Sequence, residues 1–327
     1  GIRDNPRYFS YLPLSHIAER QIVEFSSIVA CGEVNFNESL ETILRDLQRT
    51  RPHMFFGPPR IWEQFQQAVI GKFGGQEALE QAMAQDKEGI GKLVLETLGL
   101  NEVEYCLTAA APTPPALIHW WEDLGLTLME GFGQTEAMGV ILCSHEQRRI
   151  GSIGKPVGDV EYKITEEGEL AIRAEGCTPG YYKQPEKTAE VLEDGWVKTG
   201  DAGVFDEDDH LIILDRLKDM LQLKSGEKYS PTYIENRMKF SPYIKDGLVV
   251  GGQDRDFLFA NINIDFDTVG RWAEKNGYPF TTFVDLSQKK EVYDLILNDV
   301  ERVNKDLPEG ARVRRFSLLH KEFDPDE

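Results

Sequence analysis

Leu128-Met129-Glu130-Gly131-Phe132-Gly133-Gln134-Thr135-Glu136 is the stretch from which the rest of the chain can be read. Leu126, Leu128 and Met129 make an apolar strand that runs into a Gly-aromatic-Gly turn and delivers a hydroxyl and a carboxylate at its end. Gly131 and Gly133 permit positive φ and close approach of a ligand to the backbone, and Phe132 between them offers a flat face suited to stacking on a base. Thr135 can donate to an anionic oxygen, and Glu136 can hold a hard divalent cation that bridges phosphates. The same residues also suit a plain tight turn. Two familiar phosphate motifs are excluded: Glu136 stands where G-x-G-x-x-G has its third glycine, and G-x-x-x-x-G-K-[ST] is absent from the sequence.

Upstream, strand and helix patterns alternate. Tyr8 to Leu12 reads as a strand stopped by Pro13; Ser15 then caps a helix with Ile17, Ile22, Phe25 and Val29 on one broad face, ended by Gly32. Val34 to Phe36 is a brief strand, and Leu40, Ile43, Leu44 and Leu47 mark an amphipathic helix before Pro52. His53 to Phe56 is a buried strand, and Pro58-Pro59 opens a helix through Trp62 and Phe65. Gly74 to Gly99 is helical and rich in lysine and glutamate, as expected of a solvated excursion. Val103 to Leu107 then empties into Thr108-Ala109-Ala110-Ala111-Pro112, whose small side chains suit either close packing or a flat ligand against the backbone. Such alternation implies a parallel sheet, and ligands of open parallel sheets bind at the carboxyl ends of the strands.

Downstream of Ile150 the texture changes to short strands: Val160 to Thr165, Glu169 to Arg173, Trp196 to Thr199, Gly203 to Phe205 and Leu211 to Leu214. They imply a small antiparallel or barrel-like subdomain. Asp201, between Gly200 and Ala202, is either a turn aspartate or a carboxylate able to accept two hydrogen bonds from a ribose diol. Asp215 to Asp219 reads as a linker. Beyond it Ser230-Pro231 caps a helix, Gly247 to Gly251 and Phe257 to Ile264 form a hairpin, Asp267 starts a helix and Ser287 caps a long one. That is an α+β unit of about a hundred residues, within the ordinary domain range.

The order of four segments is informative: Ala109-Ala110-Ala111-Pro112, Gly131 to Glu136, Lys198-Thr199-Gly200-Asp201, and Asp215-Arg216-Leu217-Lys218-Asp219. The series resembles the AMP-forming adenylating enzymes, the superfamily of acyl-CoA synthetases, luciferases and peptide-synthetase adenylation domains. Tyr11-Leu12-Pro13-Leu14-Ser15-His16-Ile17-Ala18-Glu19-Arg20 and Phe56-Gly57-Pro58-Pro59-Arg60-Ile61-Trp62-Glu63 are similar to the long-chain fatty-acyl-CoA ligase branch. The resemblance covers essentially the whole chain. It implies an α/β fold: residues 1–149 as the later part of a large αβαβα domain, 150–214 as its β-barrel-like subdomain, and 215–327 as a smaller, mobile α+β C-terminal domain.

The implied function is AMP-forming fatty-acid–CoA ligation. A carboxylate attacks the α-phosphate of ATP, pyrophosphate leaves, and the thiol of coenzyme A attacks the acyl-adenylate to release AMP. By the resemblance, ATP or AMP is held by Ala109 to Pro112, Glu130, Gly131, Phe132, Gly133, Gln134 and Thr135, with Phe132 replacing the tyrosine frequent in the family. Asp201 and Arg216 hold the ribose, Thr135 the phosphate and Glu136 the magnesium ion; Thr135, Glu136 and Arg216 are the catalytic set. Lys218 is the pivot, Lys224, Gly226 and Glu227 line the coenzyme A tunnel or simply a surface turn, and His16 either approaches the acyl pocket or closes a helix start. The family's Ser/Thr-Gly-rich phosphate loop is expected upstream of Leu12 and its C-terminal lysine after Glu327, so this polypeptide alone is expected to form acyl-adenylate poorly. Alternatives are an adenylating ligase for another carboxylic acid, or a non-catalytic adenine-nucleotide-binding protein, for which Glu136 has no use.

Composition is compatible with that scheme. The 327 residues are 41% hydrophobic and 28% charged, as in a globular chain of about two domains. Lys and Arg number 36 against 56 Asp and Glu, a net charge of -20 that opposes nucleic-acid or anionic-membrane binding and leaves small molecules (fatty acid, ATP, coenzyme A) as partners. Cys31, Cys106, Cys143 and Cys177 form no C-x-x-C pair, which argues against zinc and for reduced thiols. With neither a signal peptide nor an apolar run of membrane-span length in the sequence, a cytoplasmic location is expected, with membrane association at most peripheral at the inner face.

Overall fold

The structure, a computed structural model, describes residues 3–137, 139–141, 148–156, 158–305 and 307–321. By Cα proximity the chain divides into two compact units: one runs to Thr199 and takes in Gly203–Ile213, the other comprises Gly200–Ala202 and the residues from Leu214 onward. Cys143 lies outside the described residues.

The first unit opens with β1 (Arg7–Ser10), a π-helix (Glu19–Phe25) running into α1 (Ser26–Val29), and β2 (Glu33–Phe36). The residues buried along this helical run are Ala18, Glu19, Ile22, Val23 and Ser27, whereas Phe25 and Val29 are 46% and 74% exposed. The face expected from Ile17, Ile22, Phe25 and Val29 is therefore corrected. A π turn is wider than an α turn, so residues four apart, not three, stay aligned, and the run Glu19, Val23, Ser27 becomes the inward line.

Next come α2 (Ile43–Thr50), β3 (Met54–Phe56), α3 (Pro59–Phe73), α4 (Gln76–Gln85), α5 (Lys87–Leu98), β4 (Tyr105–Thr108), α6 (Pro115–Asp123) and β5 (Leu128–Glu130). Strands β1 to β5 form one parallel sheet in the order β2-β1-β3-β4-β5. Pro59 begins α3 where its missing N–H is not needed, and Gly74 ends it in the left-handed region at φ 85. Trp62, fully buried, donates to the Gly57 carbonyl at 2.9 Å, which fixes α3 against the end of β3. The section from Gly74 to Gly99 is more than a solvated excursion: Leu79, Val94 and Leu98 join Trp62, Phe65, Trp121 and Leu128 in the same core.

Then come β6 (Phe132–Gln134) and β7 (Gly139–Ile141), an antiparallel pair, β8 (Glu161–Ile164), β9 (Glu169–Arg173), α7 (Pro185–Val191), β10 (Leu192–Glu193), β11 (Trp196–Phe205) and β12 (Leu211–Arg216); Gly200–Ala202 of β11 and Leu214–Arg216 of β12 count with the second unit. The last strands form a sheet of order β10-β11-β9-β8 with β12 paired to β11, the half-barrel-like antiparallel layer expected from the short-strand texture. The expected interruption at Gly200-Asp201-Ala202 does not occur. A single strand of ten residues passes through it, and Gly200 at φ 72 bends the strand without ending its pairing.

In the second unit a hairpin of β13 (Leu221–Gln222) and β14 (Lys228–Tyr229) precedes α8 (Pro231–Met238), capped as expected by the Ser230 hydroxyl, which accepts from Tyr233 N–H. β15 (Ile244–Val250) and β16 (Leu258–Ile264) are the expected hairpin. α9 (Phe266–Lys275) is capped by Asp265, two residues before the expected Asp267. Ser287 closes the short α10 (Phe283–Ser287) instead of capping α11 (Lys290–Lys305), because Lys290 restarts the helix after a break at Gln288-Lys289. β17 (Val313–Leu318), absent from the sequence expectation, adds parallel to β16. Its inward residues Val313, Phe316 and Leu318 share a core with Ile234, Ile262 and Ile296 that draws on no residue of the first unit.

Candidate functional site

β4 and β5 run side by side in the register Cys106↔Leu128, Leu107↔Met129 and Thr108↔Glu130. The loops that leave them, Ala109 to Pro112 and Gly131 onward, therefore start as neighbours at the carboxyl end of the sheet, and Gly131 N–H donates to the Thr108 carbonyl at 2.8 Å. The first loop is closed by a 2.8 Å bond between the Thr108 and Thr113 hydroxyls. Ala109 is buried among Ala18, Ile22, Val23 and Phe56, while Ala110, Ala111 and Pro112 are exposed. Ala110 has φ 73, a left-handed conformation that costs a residue with a Cβ about 1–2 kcal/mol. Of the small residues, then, one packs and the next three are exposed.

On the second loop Phe132 is half-buried and packs against Ile153, Leu170, Ile172 and Leu211 at the root of the antiparallel sheet, so its ring is fixed by that core. Glu130 is committed to structure, its Oε2 accepting Gly151 N–H at 2.6 Å. Gln134 Nε2 is buried with no partner among the described residues. Thr135–Ala137 forms a 3-10 turn in which Thr135 is exposed. Glu136 accepts twice: its backbone carbonyl from Thr178 N–H at 2.7 Å and its Oε1 from the Tyr181 hydroxyl at 2.6 Å. The hydrogen bond to Glu136, with burial second, raises the Tyr181 phenol above its ordinary range, so it remains a donor at neutral pH. No described residue donates to Glu136 Oε2.

Tyr181 and Thr178 were not singled out from the sequence, although Thr178-Pro179-Gly180-Tyr181-Tyr182 has the small-then-aromatic look of a built loop. His16, expected near an acyl pocket, is exposed; its Nδ1 accepts Ala18 N–H at 3.2 Å and its carbonyl accepts Glu19 N–H at 3.1 Å. In this structure it closes a helix start.

The remaining expected residues belong to the second unit. Asp201 is buried and pairs with Arg216, Nη1 to Oδ1 3.3 Å, and the guanidinium is 59% exposed. Lys218 is exposed in a 3-10 turn, Leu217–Asp219, that directly follows β12. Lys224 is exposed, donates its N–H to Arg255 at 3.0 Å and lies 3.7 Å from Asp256 Oδ1. Gly226, at φ 91, turns the β13–β14 hairpin, and Glu227 packs beside Gly310. Leu217, Met220, Leu221, Gln222 and Lys228 line a cavity of about 430 Å³.

The donor set fits an adenine nucleotide and magnesium. Magnesium keeps several waters and takes one or two protein carboxylates plus phosphate oxygens, and Glu136 offers a single carboxylate with an uncommitted oxygen. Among the described residues no group of three or more His, Cys, Asp and Glu forms an all-protein metal cage, and no helix is long and apolar enough to cross a membrane.

A parallel sheet carrying small-residue and Gly-Phe-Gly loops on adjacent strand ends, followed by a half-barrel sheet, defines an adenylating-enzyme fold. Its likeness to solved structures agrees: the adenylation domain of a carboxylate reductase from Mycobacterium chelonae matches 99% of this chain and 50% of its own at 25% identity, TM-score 0.61. The o-succinylbenzoate coenzyme A synthetase of Bacillus subtilis in complex with AMP shares the fold at 19% identity, covering 98% of this chain and 58% of its own, TM-score 0.61. The family described as AMP-binding enzyme matches residues 1–182, and the chain belongs to that family. Relatives include the long-chain-fatty-acid–CoA ligase FadD15 of Mycobacterium bovis, 28% identical over 99% of this chain and 58% of its own length. Another is long-chain-fatty-acid–CoA ligase 1 of Homo sapiens, 30% identical over 91% of this chain and 47% of its own. The chain thus spans about half to three-fifths of the length of these curated relatives.

Proposed function

We propose that the chain carries the adenylate-binding part of a long-chain fatty-acid–CoA ligase that activates its acid with ATP and transfers the acyl group to coenzyme A. The observation that carries this is the β4–β5 register, which starts the Ala109–Pro112 and Gly131–Glu136 loops side by side, together with a Glu136 Oε2 that accepts from no described residue. In this scheme the exposed backbone of Ala110 and Ala111 and the fixed ring of Phe132 receive the base, and Thr135 donates to the α-phosphate. The buried Asp201, oriented by Arg216, accepts from the ribose hydroxyls. Glu136 would hold a magnesium ion, which would supply positive charge against the phosphates. Residues 215–327 act as the mobile domain, pivoting at Lys218, and Lys224, Gly226 and Glu227 guide the thiol.

Fatty acid as the substrate is supported by the Tyr11–Arg20 and Phe56–Glu63 phrases and by the named relatives. A ligase for another carboxylic acid is the second reading, favoured by the likeness to carboxylate reductase and o-succinylbenzoate synthetase domains. Calorimetric titration with sulfamoyl-adenosine mimics of dodecanoyl- and benzoyl-adenylate separates the two. The dodecanoyl mimic is expected to bind at least tenfold tighter than AMP; preference for the benzoyl mimic supports the second reading, and binding of neither overturns both.

A further inference from the structure

The Glu136 carboxylate is not left to orient itself. Its 3-10 turn is tied by the main chain to Thr178, and its Oε1 is engaged by the Tyr181 hydroxyl at 2.6 Å. The loop behind Tyr181 is built to place that phenol. Tyr181 N–H donates to Thr188 Oγ1 at 2.9 Å, and the Thr188 hydroxyl donates in turn to the Gln184 carbonyl at 2.9 Å. Gly180 has φ 133, and a Cβ there would stand 2.5 Å from Thr188 Cγ2, so the approach of the loop to α7 admits only glycine. Thr178 Oγ1 lies 3.2 Å from both the N–H and the carbonyl of Gly180, closing the turn on itself. Of two adjacent tyrosines, Tyr182 is 84% exposed and Tyr181 is turned onto the carboxylate.

We propose that Tyr181 is a positioning residue for Glu136, holding one carboxylate oxygen so that Oε2 alone is presented to a phosphate-bound divalent cation. The inference rests on the metal role proposed above for Glu136. A carboxylate free to rotate must lose that freedom when it meets a metal, whereas one already held by a short hydrogen bond has lost it in advance; partners of this kind are worth about 10–100-fold in metal affinity.

The test compares this chain with its Tyr181→Phe, Thr188→Val and Glu136→Gln variants, each first checked for unchanged melting temperature. Affinity for Mn2+–ATP is read from water-proton relaxation and affinity for metal-free ATP from equilibrium dialysis. Tyr181→Phe keeps the ring and is expected to weaken Mn2+–ATP about tenfold with metal-free ATP unchanged. Thr188→Val, which touches neither ligand nor Glu136, is expected to do the same to a smaller extent. Unaltered metal dependence in Tyr181→Phe, while Glu136→Gln loses it, overturns the positioning role and leaves the metal role standing. An equal loss of metal-free and metal-bound affinity also overturns it, marking Tyr181 as a strut. Should Glu136→Gln retain full metal dependence, or the unmodified chain show none, the metal role itself falls.

Discussion

Glu19 shows how a single buried charge can be given physical content. Only 2% exposed, it begins the π-helix and accepts Leu12 N–H with Oε2 at 3.3 Å. Burial raises its carboxyl above the ordinary glutamate range, and that outweighs Ser10, the Leu12 N–H and His16, which pull the other way. A carboxyl with a raised native value holds its proton more tightly folded than unfolded. Its contribution to stability is therefore complete below the unfolded value of about 4.3 and is lost as pH rises through the native value. Glu19→Gln removes that loss, so the variant should gain on the parent with rising pH, by about 1–3 kcal/mol, the typical cost of an imperfectly paired buried polar group. Urea midpoints at pH 4, 6 and 8 measure it, and a constant difference across that range counts against the assignment. At this scale much of the candidate site was legible. Phe132, Thr135 and Glu136 were marked by their Gly-aromatic-Gly setting, whereas Tyr181 was not, because its hydrogen bond to Glu136 spans 45 positions of sequence.

Among the elements, parallel strands were the easiest to read, since β3 and β4 are short apolar runs bounded by proline and small residues. Three features escaped for physical reasons. The π-helix changes the angular step per residue, and no composition rule announces it; β17 hides its inward residues around Arg314-Arg315; and β11 continues through Gly200-Asp201, which locally reads as a turn. Between Gly74 and Gly99 the helices were legible and their buried face was not. Their lysine and glutamate content is the solvent face, and only the structure reveals Leu79 at 0% exposure beneath it. Leu79→Ala should accordingly cost about 2–5 kcal/mol, the usual range for deleting a buried leucine, against a few tenths for a residue on a solvated excursion. Guanidinium unfolding of the variant decides between the two.

The molecule as a whole has separate hydrophobic cores, one built from Leu223 to Leu318 and the others from residues before Ile213. Chains so divided depart from all-or-none unfolding. Of the five tryptophans, Trp272 alone lies in the second unit, its ring 5.5 Å from that of Tyr278. A variant retaining only Trp272 should report a denaturation midpoint distinct from that given by circular dichroism of the entire chain, and coincident curves would count against independent cores. The net charge of -20 acts at this scale too, since mutual repulsion between like-charged molecules favours solubility.

β2 ends the parallel sheet, with Phe36 at its tip 74% exposed, and Ile28 and Val29 are 68% and 74% exposed on the helix that precedes it. No described strand pairs with the outer side of β2, where main-chain donors and acceptors lie next to apolar side chains, and mutual repulsion between acidic molecules opposes a second copy adding its own strand. Salt, which screens that repulsion, is therefore expected to promote association of this chain, and light scattering across a salt series measures it.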